Sequence, residues 1–298
     1  DEALKLREEV LTLRRKVSGP EHPETLSAMQ NLAISYDANR WDEALKLREE
    51  LLPLSRKVNG REHPNTLWAM RNLANSYAAA NRPDEALKLR EEVLALRRKV
   101  LGPEHPDTLD SLLKLAETYQ VEGRYAEAEP LYREYLQSLT TRYSSTNETV
   151  VIATTSLAGL LHDWAWSERG VTDKTKAAER AREAERLLRG CVAIRSKTLR
   201  PASSRRAETR SRLGDALVAM AVLDSTLTAE ARLALLTEAE SLLLEGQEAL
   251  WRNTTADPQY KRDALERLVR LYEALDKPEQ LAEWRQKVAA FEKVKLDQ

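Results

Sequence analysis

The stretch Asp84-Glu85-Ala86-Leu87-Lys88-Leu89-Arg90-Glu91-Glu92 occurs three times, with earlier copies beginning at Asp1 and Asp42, so the chain repeats itself at intervals of 41 and then 42 residues. Self-similarity at that period, carried by a helical pattern, predicts a stacked array in which each unit touches only its neighbours. In the third copy Ala86, Leu89, Val93, Leu96 and Val100 fall three and four residues apart, and Leu87 and Leu94 widen the stripe. Lys88, Arg90, Glu91, Glu92, Arg97 and Arg98 take the remaining positions, the signature of an amphipathic helix of about four turns. Asp84, after Pro83, is the expected N-cap. Gly102, like Gly19 and Gly60, is expected to supply a left-handed residue at the C-terminus.

After each of these glycines comes the same connector, Glu21-His22-Pro23, Glu62-His63-Pro64 and Glu104-His105-Pro106, followed by Thr and Leu and a second stripe. That stripe reads Leu26, Met29, Leu32, Ala33, Tyr36, then Leu67, Met70, Leu73, Ala74, Tyr77, then Leu109, Leu112, Leu115, Ala116, Tyr119. Proline at a first helical position loses no intrahelical bond, and a small alanine in mid-stripe lets a neighbouring helix approach. Two helices per repeat therefore form an antiparallel hairpin, and hairpins stack.

The Leu-Ala-x-x-Tyr segments, the turn Gly123-Arg124-Tyr125-x-Glu127-Ala128 and the Gly-Pro-Glu-His-Pro-x-Thr-Leu linker resemble tetratricopeptide repeats (TPR) of the longer, 42-residue kind found in kinesin light chains. Similar arrays occur in the tails of bacterial multidomain signalling proteins. The resemblance implies an all-α, right-handed α-solenoid of about 13 helices, a TPR superhelix. It covers residues 1–142 as regular repeats starting in mid-repeat, and thins over residues 143–298, expected to be divergent TPR-like hairpins and a C-terminal cap of one continuous solenoid. There the helical segments are expected at 149–166, 174–199, 201–223, 229–251, 259–275 and 279–294, with Leu157, Ala158 and Leu161 facing inward and Leu213-Gly214 as a close-packing pair.

Three departures from the pattern stand out. The turn from Tyr36 to Ala44 is one residue shorter than that from Tyr77 to Ala86, and Trp41 is expected to fill the gap. Pro53 lies inside a helix and is expected to bend or loosen it. Arg7, Arg48 and Arg90 occupy a place where the resemblance leads one to expect an aromatic, which argues against ordinary core packing there.

The full sequence of 298 residues carries a net charge of −1, so no global field draws it to nucleic acid or anionic membrane. Cys191 is alone, which excludes an internal disulfide and fits a reducing compartment. No apolar run approaches the ~18–20 residues of a membrane span, and no signal peptide precedes Asp1, so a cytoplasmic location is expected.

His22, His63 and His105 sit one repeat apart, separated by at least the ~8–10 Å between packed helices, too far to share a metal. They are expected to cap helices, and no metal or cofactor is expected. No phosphate loop, zinc-protease motif or nucleophile elbow occurs, and the pairs Glu8-Glu9 and Glu91-Glu92 read as a solvated helix face with i,i+4 partners, so an enzyme is not expected. A basic cluster, Arg195, Lys197, Arg200, Arg205, Arg206, Arg210 and Arg212, could hold an acidic peptide or a phosphate backbone, but the absence of interleaved aromatics argues against nucleic acid.

The resemblance implies a concave binding groove lined by the first helix of each hairpin. Helical arithmetic around Ala33, Ala74, Ala116 and Ala158 points Ser27, Gln30, Ile34 and Asp37, then Trp68, Arg71 and Asn75, then Asp110, Leu113, Glu117 and Gln120, then Ile152, Thr155 and His162 toward it. Trp68 beside Arg71 is the expected anchor pair, since aromatics and arginine dominate interface energies. The expected function is a protein–protein interaction scaffold holding a peptide or a partner domain. The alternative is the regulatory tail of a signalling enzyme, a Ser/Thr kinase or NTPase, whose catalytic domain would lie upstream of residue 1 in the same full-length chain.

Overall fold

The computed structural model describes residues 2–172 and 174–296. Among them are thirteen α-helices and no strand: α1 (Glu2–Val17), α2 (Pro23–Tyr36), α3 (Trp41–Asn59), α4 (Pro64–Ala79), α5 (Pro83–Leu101), α6 (Pro106–Val121), α7 (Tyr125–Arg142), α8 (Glu148–Ser167), α9 (Thr175–Thr198), α10 (Ser204–Leu223), α11 (Ala229–Arg252), α12 (Pro258–Ala274) and α13 (Pro278–Leu296). They fall into two compact units, Asp1–Leu131 and Tyr132–Gln298, divided within α7.

In the first unit sequential helices pack on one another, α1 on α2, α2 on α3, and so on to α6. Its core is the two predicted stripes: Met29 and Met70 are fully buried, beside Leu51, Leu52, Leu67 and Leu73. Ala33 and Ala74 lie where helices meet, with essentially no exposed surface.

The linkers explain why three near-identical segments fold alike. Gly60 and Gly102 end their helices at φ 88° and 89° with ψ 163° and 162°. The φ is positive as expected, but ψ is extended, so these glycines occupy a region closed to side-chain-bearing residues rather than the left-handed helical one. Three residues on, the histidines cap the next helix. Nδ1 of His22, His63 and His105 accepts from the backbone N–H of Glu24, Asn65 and Asp107 at 3.3, 3.2 and 3.1 Å. Proline follows each at the first helical turn, and the buried Thr25 and Thr66 hydroxyls donate back to the carbonyls of Gly19 and Ser55 at 2.7 and 3.1 Å.

Asp84 does not cap α5. Arg82 is the N-cap residue, Pro83 opens the helix and Asp84 joins Glu85 in the first turn, where acidic side chains suit the helix dipole. The preceding turn sets that register: Asn81 adopts φ 56° and the Arg82 N–H reaches back five residues to the Tyr77 carbonyl at 2.8 Å. Gly123 at φ 70° and Asp276 at φ 53° make the same turn. The shorter first turn omits the positive-φ residue, because Arg40 bonds Tyr36 only four back, at 2.8 Å. Trp41 does not fill a gap there; it is 58% exposed. Pro53 is also exposed, and α3 runs unbroken through it.

Tyrosine and arginine at these turns tie consecutive hairpins together. Tyr36 donates to Glu8 at 2.7 Å, Arg40 donates to the same carboxylate at 2.7 Å, and the guanidinium lies 4.3 Å from the Tyr36 ring centre. Arg82 repeats this with Tyr77 and Glu49, as do Arg124 and Glu91 with Tyr119. Glu8 and Glu91 are thus cross-helix acceptors, and Glu92 binds Arg56 and Arg61 of the previous repeat, so neither acidic pair is a merely solvated face with i,i+4 partners.

Arg7, Arg48 and Arg90 likewise reach a hydroxyl 28 residues ahead, on Ser35, Ser76 and Thr118. Arg48 is buried and also donates to Asp37 at 2.7 Å. A polar anchor thus replaces an aromatic one.

In the second unit α8 packs on α9, α10 on α11 and α12 on α13. Leu157, Ala158 and Leu161 are buried as expected, and a Cβ at Gly214 would lie 2.7 Å from Leu243, so α10 and α11 meet at closest approach there. Here α10 also packs directly on α8 and α12. That contact buries charge: Arg267 donates to Glu208 through both terminal nitrogens at 3.0 Å, and Arg270 to Asp215 at 3.0 and 2.7 Å. Burial alone would push the Asp215 carboxyl up, but Arg270, His162 and Arg267 outweigh it and hold it below the usual carboxylate range. The last hairpin keeps the repeat's device, with Tyr272 donating to Glu240 at 2.9 Å and Lys277 in place of arginine.

Candidate functional site

The predicted face begins on α2, α4 and α6, whose stripes turn leucine, methionine and alanine inward and leave the residues between them outside. Ser27, Ile34 and Asn75 are exposed, Ile34 by 48%. Gln30, Asp37, Trp68, Arg71, Asp110, Leu113, Glu117 and Gln120 are half-buried. Asp37 is committed to Arg48.

Trp68 and Arg71 line a cavity of about 470 Å³ together with Gln30, Leu67, Val100 and His105. Its lining is mixed: Leu67, Trp68, Val100 and Leu101 supply apolar surface, and Glu62, Asn65, Arg71, Arg97 and Asp107 supply polar and charged groups. Apolar surface with a few convergent polar groups is what a ligand side chain requires. Arg71 lies 3.5 Å from Asp110, and its Nε has no partner. Arg97 is buried, donating to the Asp107 carbonyl at 2.6 Å and to Ser111 at 2.7 Å, and burial pulls its guanidinium below the ordinary arginine value. Arg97 of α5 is therefore tied to the first two turns of α6, next to the linker whose His105 edges the cavity. A smaller hollow joins Arg71 and Asn75 to Asp110 and Lys114.

In the second unit Ile152 is 40% exposed, but Thr155 and His162 are only 8% and 7% exposed. Thr155 donates to its own helix at the Val151 carbonyl, 2.7 Å away, and His162 Nε2 lies 3.3 Å from the Asp215 carboxylate. His162 is withdrawn because α8 and α10 pack together, whereas arithmetic that treats every hairpin alike turns it outward; Thr155, though buried, borders a hollow with Ile152 and Ser156. His105 and Arg97, which help to form the first unit's cavity, lie outside that arithmetic because one is on a linker and the other on a second helix of a hairpin.

The basic cluster is largely consumed. Arg195 pairs with Glu148 at 2.8 Å, Arg210 with Glu245 at 3.0 Å and Arg212 with Glu208 at 2.8 Å. Cys191 is buried, and burial raises its thiol. Among the described residues no cluster of three or more His, Cys, Asp or Glu side chains is placed to hold a metal, and no helix is long and apolar enough to cross a membrane.

Stacked helical hairpins with repeat-spaced caps and a cavity on one face define a helical repeat protein. Residues 36–99, 82–141 and 1–24 match family models of the tetratricopeptide repeat, and this part of the chain is a TPR array. A crystal structure of the nearly identical TPR-like repeats of a Podosopora anserina kinesin-light-chain-like protein is similar at 27% identity, covering 78% of this chain and 99% of that one with a TM-score of 0.61. BtubC (BKLC) from P. vanneervenii is 16% identical over 80% of this chain and 89% of its own, with a TM-score of 0.55. The apo quorum sensor NprR from B. thuringiensis is 14% identical over 97% and 76%, with a TM-score of 0.53. The last two likenesses are of fold. No curated protein matches the chain. TPR arrays are, as a class, non-catalytic scaffolds for protein–protein interaction.

Proposed function

We propose that this chain is an interaction scaffold that holds a peptide segment of a partner protein against α2, α4 and α6 of the first unit, with one ligand side chain seated in the cavity beside Trp68 and Arg71. The observation that carries this reading is the cavity itself: a large aromatic and an arginine stand beside the apolar surface of Leu67, Val100 and Leu101, and aromatics and arginine are the residue types that dominate binding energy when truncated. The linkers bordering it are fixed by histidine caps and buried threonines, so little ordering cost falls on the scaffold. Gln30, Asn75, Asp110, Leu113, Glu117 and Gln120 would meet the ligand on either side.

The test selects a peptide from a displayed random library on the immobilised protein and measures its affinity for Trp68→Ala/Arg71→Ala. Each truncation of an anchor of this kind costs about 2 kcal/mol, so the pair should weaken binding by several hundred-fold or more with helical content unchanged. Unaltered affinity would show that the cavity is not the binding site.

A further inference from the structure

The basic cluster does not stay together in the fold. Arg206 turns to the Leu199 carbonyl and Arg210 to Glu245, while Arg195, Arg205 and Arg212 gather around a cavity of about 180 Å³ in the second unit, with Ser156 and Tyr260 also lining it. These donors come from four helices, Ser156 on α8, Arg195 on α9, Arg205 and Arg212 on α10 and Tyr260 on α12. They therefore converge on the cavity from separate helices rather than from one helix face.

Two carboxylates answer the three guanidiniums, and neither can neutralise the cavity. Glu148 is shared by Arg195 at 2.8 Å and Arg205 at 3.5 Å. Glu208 is engaged twice by Arg267 from behind and once by Arg212 Nε. Behind the cavity Arg267 and Arg270 are offset by Asp215 and Asp263, which leaves the lining with one positive charge in excess.

Unspent donors accompany that excess. Arg195 is 4% exposed and keeps its Nε without a partner. The terminal nitrogens of Arg212 and the hydroxyls of Ser156 and Tyr260 make no hydrogen bond among the described residues, and Arg205 spends only one long contact. Buried or half-buried donors left in this state are strong acceptor-seeking groups.

We propose that this cavity binds a terminal phosphoryl group, that is, a phosphomonoester. Donors arriving from four helices suit a tetrahedral group carrying three acceptor oxygens better than a planar carboxylate. A hollow of about 180 Å³ also suits a single doubly charged end group better than a nucleic-acid backbone, whose singly charged diesters call for a stripe of contacts. Two sources carry this chemistry, a phosphorylated side chain of a polypeptide and a small phosphorylated metabolite.

Calorimetric titration of the full chain with inorganic phosphate, against acetate at matched ionic strength, tests the assignment. Phosphate should bind saturably and at least about ten-fold more tightly than acetate. Arg205→Gln changes a side chain that is more than half exposed, so the fold should survive, and it should weaken phosphate by about ten-fold. Tyr260→Phe should weaken it by a smaller factor, and serves if Arg205→Gln misfolds. A phosphoserine peptide binding well above glycerol phosphate would assign a polypeptide source, and equal binding a small metabolite. No saturable phosphate binding, binding indifferent to both substitutions, or displacement of phosphate by an RNA oligonucleotide at lower concentration would overturn the proposal. Trp68→Ala/Arg71→Ala should leave phosphate binding unchanged, which keeps this site separate from the peptide face.

Discussion

The same chemical change, glycine to alanine, should act with opposite sign at Gly102 and Gly190. Gly102 sits at φ 89° and ψ 162°, and an added Cβ would meet no atom within 4 Å. Steric crowding by neighbours is therefore excluded, and the whole effect is the backbone conformation, which costs a non-glycine residue about 1–3 kcal/mol. Gly190 lies inside α9, is exposed, and a Cβ there also meets nothing within 4 Å. Alanine at Gly190 should stabilise by about 0.5–1 kcal/mol through reduced freedom of the unfolded chain. The two variants should thus differ by about 1.5–4 kcal/mol although both add one exposed methyl group. Urea unfolding followed by circular dichroism measures the net change. Segment-resolved hydrogen exchange places it, because arrays need not unfold in one step: protection should fall around α5 and α6 for Gly102→Ala and rise along α9 for Gly190→Ala. Equal signs, or a neutral Gly102→Ala, would refute the claim that the linker glycines are required for their backbone geometry.

Arg267→Met should destabilise the second unit by about 3 kcal/mol, the low end for breaking a buried ion pair, because it takes the buried guanidinium from Glu208 while Arg212 still pairs with Glu208 and Arg270 with Asp215, and urea denaturation should show it. Tyr119 and Tyr272 are pushed up to about 12, by burial first and then by the hydrogen bonds they give Glu91 and Glu240. The native state holds these protons more tightly than the unfolded chain does, so their contribution is intact below the ordinary tyrosine value of 10.0 and is lost as pH rises toward about 12. Ultraviolet titration should find both ionising well above the ordinary tyrosine value of 10.0, and ionisation of both near 10.0 would contradict the cross-hairpin bonds.

Much of the architecture is legible in the sequence because it is periodic. Met29, Met70 and Leu112 are buried where the stripe puts them, and His22, His63 and His105 cap their helices as their place before proline suggests. What escapes are the relations between repeats. The bond from Tyr36 to Glu8 joins residues 28 apart on different helices, and no i,i+4 rule reaches that far. Arg48 reads as out of place until Asp37 and Ser76 stand beside it. In the second unit the arithmetic turns His162 outward, because the approach of α10 to α8 depends on side chains such as Asp215 that the repeat does not contain. Asp84 was displaced from its expected cap by the turn at Asn81, a conformation set by one backbone angle.

Hydrogen exchange on the complex with a library-selected peptide bears most directly on the idea that the first unit is the binding surface. Bound peptide should slow exchange along α4 and through the linker that carries His105, beside Trp68 and Arg71. Protection confined to residues 132–296, with α4 and that linker unchanged, would contradict it.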